Sequence, residues 1–227
     1  MPHEFSNQHV YFSAIAKGQP IEFVKLLQQY GANFRTHLGT FNPLQYAAEK
    51  DVPEAIDIVM KEVPDLLNVL DKDKLTPLGW AANSGHVNCI DKLVDHGADV
   101  HAMSFSGYSV MYFAVTNHHH DAIRALARRG ASLETQEPGD FGATALYRAI
   151  LMHESDKYLE TVQVLLECGA NVNGTTKSGW RPVHYAAKYN LIDVLEGKRH
   201  SRLVTTNCHI LIPNTLFFSS PQIRARL

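Results

Sequence analysis

One short phrase, written four times, constrains this chain more than any other feature. It reads Tyr30-Gly31-Ala32-Asn33, His96-Gly97-Ala98-Asp99, Arg129-Gly130-Ala131-Ser132 and Cys168-Gly169-Ala170-Asn171. Each copy follows an apolar stretch of helical period, such as Phe23-Val24-Lys25-Leu26-Leu27 or Val162-Gln163-Val164-Leu165-Leu166. Gly31 and Gly97 lie 66 residues apart, Gly97 and Gly130 33, and Gly130 and Gly169 39. Midway through the first interval Pro64-Asp65-Leu66-Leu67-Asn68 stands in place of a copy. A fixed period of this size marks a stack of small units rather than a single closed core. The six extra residues of the last interval are placed as two before Gly139 and about four within Glu154 to Tyr158.

A second phrase recurs in constant register with the first. It is Leu75-Thr76-Pro77-Leu78 in one copy and Trp180-Arg181-Pro182-Val183-His184 in another, with weaker copies at Asn42-Pro43-Leu44, Ser109-Val110-Met111 and Thr144-Ala145-Leu146. A threonine hydroxyl caps a helix, and proline suits the first helical position because its missing N–H would have no partner there. Small residues follow, as in Ala47-Ala48, Ala81-Ala82 and Ala186-Ala187, and let two helices approach closely. The phrase glycines fall where a second helix ends in a left-handed cap. Polar runs such as Asp71-Lys72-Asp73-Lys74 then suit a projecting turn. Each unit is helix, loop, helix and finger, and it buries its apolar face only against a neighbour.

These phrases resemble the ankyrin repeat, whose T-P-L-H-x-A and G-A-D-V-N signatures are matched across roughly residues 10–196. The resemblance implies an all-α solenoid of about six units, at 7–35, 36–68, 69–101, 102–135, 136–174 and 175–196. The sixth is incomplete: its second helix, Ile192-Asp193-Val194-Leu195-Glu196, stops at Gly197. Residues 1–196 form the repeat domain and 197–227 a basic, non-repeat tail whose expected state is partial disorder. That tail carries Lys198, Arg199, Arg202, Arg224 and Arg226 and no acidic residue, leaving 16 basic against 23 acidic residues in 1–196. Register and acidic residues are lost together at Gly197-Lys198, which GGTAAG can encode, so a translated intron is one origin the sequence offers for the tail.

Composition excludes several function classes. The 227 residues are 45% hydrophobic, and a net charge of −2 provides no electrostatic footprint for nucleic acid. No basic stretch followed by an apolar one opens the chain, so no signal peptide is expected, and no apolar run is long enough to span a membrane. Cys89, Cys168 and Cys208 are scattered and odd in number, which suits reduced thiols in the cytosol or nucleus. A monomer is expected.

Catalytic patterns are missing. Neither GxGxxG nor GxxxxGKS occurs. Adjacent residues of His118-His119-His120-Asp121 point in different directions, so the run is expected to be a solvated loop between paired helices, with no metal and no cofactor. His184 takes the structural T-P-L-H position by resemblance. Tyr46, Trp80, Phe113 and Tyr185, each preceding a small pair, are expected to pack between repeats.

The resemblance implies a non-catalytic module that binds a protein partner on its concave face, through finger tips, the residue before the Thr-Pro pair and the ends of first helices. The second and third units offer mainly charged and amide groups there, such as Glu49, Lys50 and Asn83. Units four to six offer Phe105, Tyr108, Phe141, Leu151, Met152, Trp180 and Tyr189, with Trp180, Tyr108 and Phe141 as the chosen anchors. The alternative for each ring is a spacer packed between fingers. A rival function is a substrate-recruiting adaptor of a ubiquitin ligase or similar modifying complex, with its docking box in the tail. Pro213 and Ser219-Ser220 would interrupt such a helix. By resemblance, Asn173 is also a candidate for hydroxylation.

Overall fold

The structure, a computed structural model, describes residues 42–71, 75–139 and 142–191. Among them nine α-helices alternate between two rows. The first row holds α1 (Pro43–Glu49), α3 (Pro77–Ser84), α5 (Val110–Thr116), α7 (Ala145–Leu151) and α9 (Pro182–Lys188). The second holds α2 (Pro53–Glu62), α4 (Val87–Asp95), α6 (His120–Arg128) and α8 (Tyr158–Glu167). Each helix packs against its pair and against the same helix of the next unit. The described part is thus a two-layered helical solenoid. The unit at 7–35, the sixth second helix and the tail lie outside the described residues.

The first-row helices begin at polar caps. Asn42 Oδ1 accepts from the Leu44 and Gln45 N–H groups at 2.9 Å each, while Gln45 Oε1 accepts from Asn42 N at 2.8 Å. Thr76 Oγ1 accepts from Gly79 N at 3.0 Å, and Ser109 Oγ from Tyr112 N at 3.1 Å. The fifth start differs. Arg181 makes no side-chain cap; its N–H donates to His184 Nδ1 at 3.2 Å, which gives that histidine a structural task. The small pairs close the gap between rows: Ala47, Ala48, Ala81, Ala82 and Ala114 are fully buried. Around them Leu44, Leu78, Met111 and Leu146 recur in register, as do Ile56, Ile90 and Ile123. Truncating one such side chain typically costs about 2–5 kcal/mol.

Second helices α4, α6 and α8 end at Gly97, Gly130 and Gly169, with φ of 91°, 89° and 91°. Pro64 cannot enter that region because its ring fixes φ near −65°. There the chain makes a 3-10 turn, Pro64–Leu66, instead. The outer faces of the second row are stitched by ion pairs. Asp57 meets Lys92 and His96, Arg129 meets Asp91 and Asp95, and Arg124 meets Glu167.

The fingers are short turns closed by one pattern. Asp71 N donates to Leu75 O, Ser104 N to Tyr108 O, Glu137 N to Ala143 O and Thr176 N to Trp180 O. In three of the four the opening side chain also accepts from the closing N–H: Asp71 from Leu75, Ser104 from Tyr108, Thr176 from Trp180. The fourth finger is two residues longer, and Glu137 turns back to the preceding unit instead. Neighbouring fingers touch at glycines. A Cβ on Gly142 would lie 2.6 Å from Lys177 Cγ, and one on Gly139 2.8 Å from the Tyr108 hydroxyl.

Candidate groove at the C-terminal end of the first-helix row

The six described candidates do not all line one groove. Leu151, Trp180 and Tyr189 come together in a single groove of about 360 Å³. Phe105 stands apart on its finger, 69% exposed. Tyr108 is half-buried, stacked on Tyr112 at 4.2 Å between centroids, and its hydroxyl abuts Gly139 of the next finger. It is a spacer between fingers in this geometry rather than an open anchor. Met152 caps α7 beside the groove without lining it. Phe141 lies outside the described residues.

Helical spacing assembles the groove. Tyr147 and Leu151 are four residues apart on α7 and therefore share a face, as do Tyr185 and Tyr189 at the end of α9. The finger between them supplies Thr176, Ser178 and Trp180. Tyr147 meets Tyr185 edge-on at 5.5 Å, and Tyr185 stacks on Tyr189 at 4.4 Å. The His153 ring lies 4.9 Å from that of Tyr189, outside the groove lining. Trp180 remains 39% exposed and Tyr189 42%, so both rings present a face to solvent.

One charge sits in this lining. The Lys188 ammonium lies 5.9 Å from the centre of the Trp180 ring and 5.1 Å from that of Tyr189. Burial pushes the Tyr185 hydroxyl above its ordinary range, and its hydrogen bond to Tyr189 adds to the effect. The same bond, and then the Lys188 charge, hold the Tyr189 hydroxyl below its ordinary value.

Five lining residues, Tyr147, Thr176, Ser178, Tyr185 and Lys188, stand outside the seven candidates. Tyr185 was assigned to inter-repeat packing; it does pack against Tyr147, and it also lines the groove. Lys188 stands at the end of a first helix, next to the candidate Tyr189. Tyr147 was overlooked, although Gln45, Gly79, Tyr112, Tyr147 and His184 share one register, in which two tyrosines replace a glycine.

The first-helix ends of the earlier units differ in chemistry. Lys50 pairs with Glu49 at 2.9 Å, and Asn117 Nδ2 donates to Asn83 Oδ1 at 3.1 Å. These groups answer one another along the row.

The histidine run is built into the stack rather than being the solvated loop expected. His118, half-buried at φ 54°, occupies the left-handed position held by Gly85 one unit earlier. Its Nδ1 lies 2.8 Å from Thr161 Oγ1. His119 Nε2 lies 3.0 Å from Asn83 O, as His86 Nδ1 does from Ala48 O. His120 approaches Thr161 and Glu160. Among the described residues no group of three or more His, Cys, Asp or Glu is placed to hold a metal ion. Cys89 is fully buried beside Ala47 O and Asp51, and burial first, then Asp51, keeps its thiol protonated. Among the described residues no helix is long and apolar enough to cross a membrane.

Comparison with known proteins agrees with this architecture. A family model for ankyrin repeats, in three copies, matches residues 11–104, 63–137 and 111–197. The chain is 24% identical over 155 residues to ankyrin repeat protein nuc-2 of Neurospora crassa, covering 68% of this chain and 14% of that protein. It is 41% identical over 61 residues to ankyrin repeat domain-containing protein 49 of Bos taurus, covering 27% and 26%. A palmitoyltransferase, AKR1 of Lachancea kluyveri, is 27% identical over 125 residues, 53% of this chain and 16% of the enzyme. The chain thus spans between about a seventh and a quarter of these relatives. Among solved structures, the ankyrin repeat domain of Bcl-3, of the IkappaB family, superposes with a TM-score of 0.69 at 24% identity over 82% of each chain.

Proposed function

The chain belongs to the ankyrin-repeat family, and on that premise we propose that it is a non-catalytic scaffold binding a protein partner with its finger-and-first-helix face. Arrays of this family are generally protein–protein interaction modules. The contact is centred on the last two described units, where that face carries the groove between α7, the Thr176–Trp180 finger and α9. One observation supports this location above others. The polar groups of the earlier units are satisfied by one another, whereas Trp180 and Tyr189 turn ring faces to solvent over a preformed hollow. Exposed aromatic groups around a pocket are where interface energy concentrates.

The adaptor reading places its docking box in 197–227, outside the described residues, and no observation favours it over simple binding.

The test is capture from a lysate by the tagged full chain, with Trp180→Ala beside Arg128→Ala. Arg128 lies on the second row, away from the groove. The Trp180 variant should lose the captured partner while keeping its helical circular dichroism, and the Arg128 variant should retain it. Equal capture by both variants would remove the assignment.

A further inference from the structure

We propose that the groove takes a carboxylate side chain from an acidic segment of the partner, with Lys188 as its counter-ion and the flanking rings holding an apolar neighbour. This rests on the reading of the groove face as the binding surface, and it adds the chemistry of what binds.

The first support is the position of Lys188. On the outer row Lys92 is neutralised by Asp57 and Arg129 by Asp91 and Asp95. Among the described residues no carboxylate pairs with Lys188, and its ammonium is held over the faces of Trp180 and Tyr189. Cation–π contact fixes the charge at the mouth without cancelling it. An ammonium has three donors; the Tyr189 hydroxyl engages one, and rings satisfy the others poorly.

The second support is the local balance of charge. Lys177 and Arg181 are exposed on and beside the same finger, and Arg148 lies on α7 with its guanidinium 5.1 Å from the Tyr112 ring centre. On the acidic side, the charge of Glu154 reaches Tyr185. Glu137 is buried and committed to Ser109. Basic side chains thus gather on this face of the last units, although residues 136–196 carry eight acidic against five basic residues in all. Such a patch draws an anionic segment to one place.

The third support is the donor set. Lys188, Tyr189 and Ser178 all contribute polar groups to the lining. Donors from Lys188 and Tyr189 suit the two oxygens of a carboxylate. About 360 Å³ is near the lower limit of ligand sites and holds one such side chain with a neighbour. A cationic guest would meet the like charge of Lys188.

The experiment uses the full chain and three fluorescein-labelled, capped tetrapeptides read by anisotropy. They are Phe-Glu-Leu-Glu, Phe-Gln-Leu-Gln and Phe-Lys-Leu-Lys. The glutamate peptide should bind at least about tenfold more tightly than the glutamine peptide, as expected for one charge-assisted contact. Lys188→Met, which keeps the apolar stem, should erase that ratio. Leu151→Ala should weaken both peptides alike. Equal affinity for glutamate and glutamine peptides overturns the inference; if Leu151→Ala still weakens both, the groove survives as a docking surface. Equal affinity untouched by Leu151→Ala removes the groove reading as well. Tightest binding by the lysine peptide, or no binding by any, also overturns the inference, and the Trp180 capture comparison then decides separately whether the face binds protein.

Discussion

Glu137, 3% exposed, accepts two hydrogen bonds from Ser109 in the preceding unit, from its hydroxyl at 2.5 Å and its backbone N–H at 3.1 Å. Ser109 in turn caps α5 through Tyr112 N. The long finger and the longer acidic side chain together tie one unit to the helix start of its neighbour. Glu137→Ala leaves the Ser109 groups buried without that partner. It should cost about 1–3 kcal/mol of unfolding free energy. Glu137→Gln, which keeps an acceptor, should cost less. Denaturant titration of the three proteins checks the order, and equal stability would contradict it.

Glycines in the left-handed region differ in what surrounds them. Gly97 has φ 91° and nothing within 4 Å of an added Cβ, so Gly97→Ala should cost only the backbone strain, about 1–2 kcal/mol. A Cβ on Gly85, at φ 78°, would lie 2.6 Å from the His119 ring, which reaches Asn83 O. Gly85→Ala therefore adds the loss of that inter-unit contact and should be the more damaging by about 1 kcal/mol. Thermal and denaturant melts of both variants measure the difference.

Burial first, and then the nearby His120, Lys157 and His119, hold His118 below the ordinary histidine value. The unfolded chain consequently binds a proton at His118 more readily than the folded chain does. Stability from this residue is complete above the ordinary value of 6.5 and falls as pH drops through it towards the folded value. His118→Asn removes the titration while tolerating the same backbone, as Asn190 does at φ 55°. The variant should lose less stability than the parent between neutral and mildly acidic pH. A parallel loss in both proteins would contradict the assignment.

The architecture was legible because it depends on short-range chemistry repeated in register. Thr76, Pro77, Ala81, Ala82 and Gly97 each have one local reason to stand where they do, and the structure uses them so. The groove was legible only in part. Leu151, Trp180 and Tyr189 were named from their positions within a unit, but their meeting depends on how α7, the finger and α9 are set across units. Tyr108 shows the reverse. Its place beside the Thr-Pro position looks open in sequence, yet the insertion that lengthens the next finger brings Gly139 against its hydroxyl. The histidine run misled for a similar reason. Three adjacent residues take three tasks, a left-handed turn, a carbonyl contact and a helix start, and two of their contacts reach Thr161, more than forty residues away.

The most direct measurement is position-resolved crosslinking in cells. A photoreactive residue is placed at Ser178, inside the groove, or at Arg128 on the outer row, and adducts are resolved by mass. The account predicts a partner adduct from position 178 that Leu151→Ala abolishes, and none from position 128. The same adduct from position 128, or one from 178 that persists in the Leu151 variant, would contradict it.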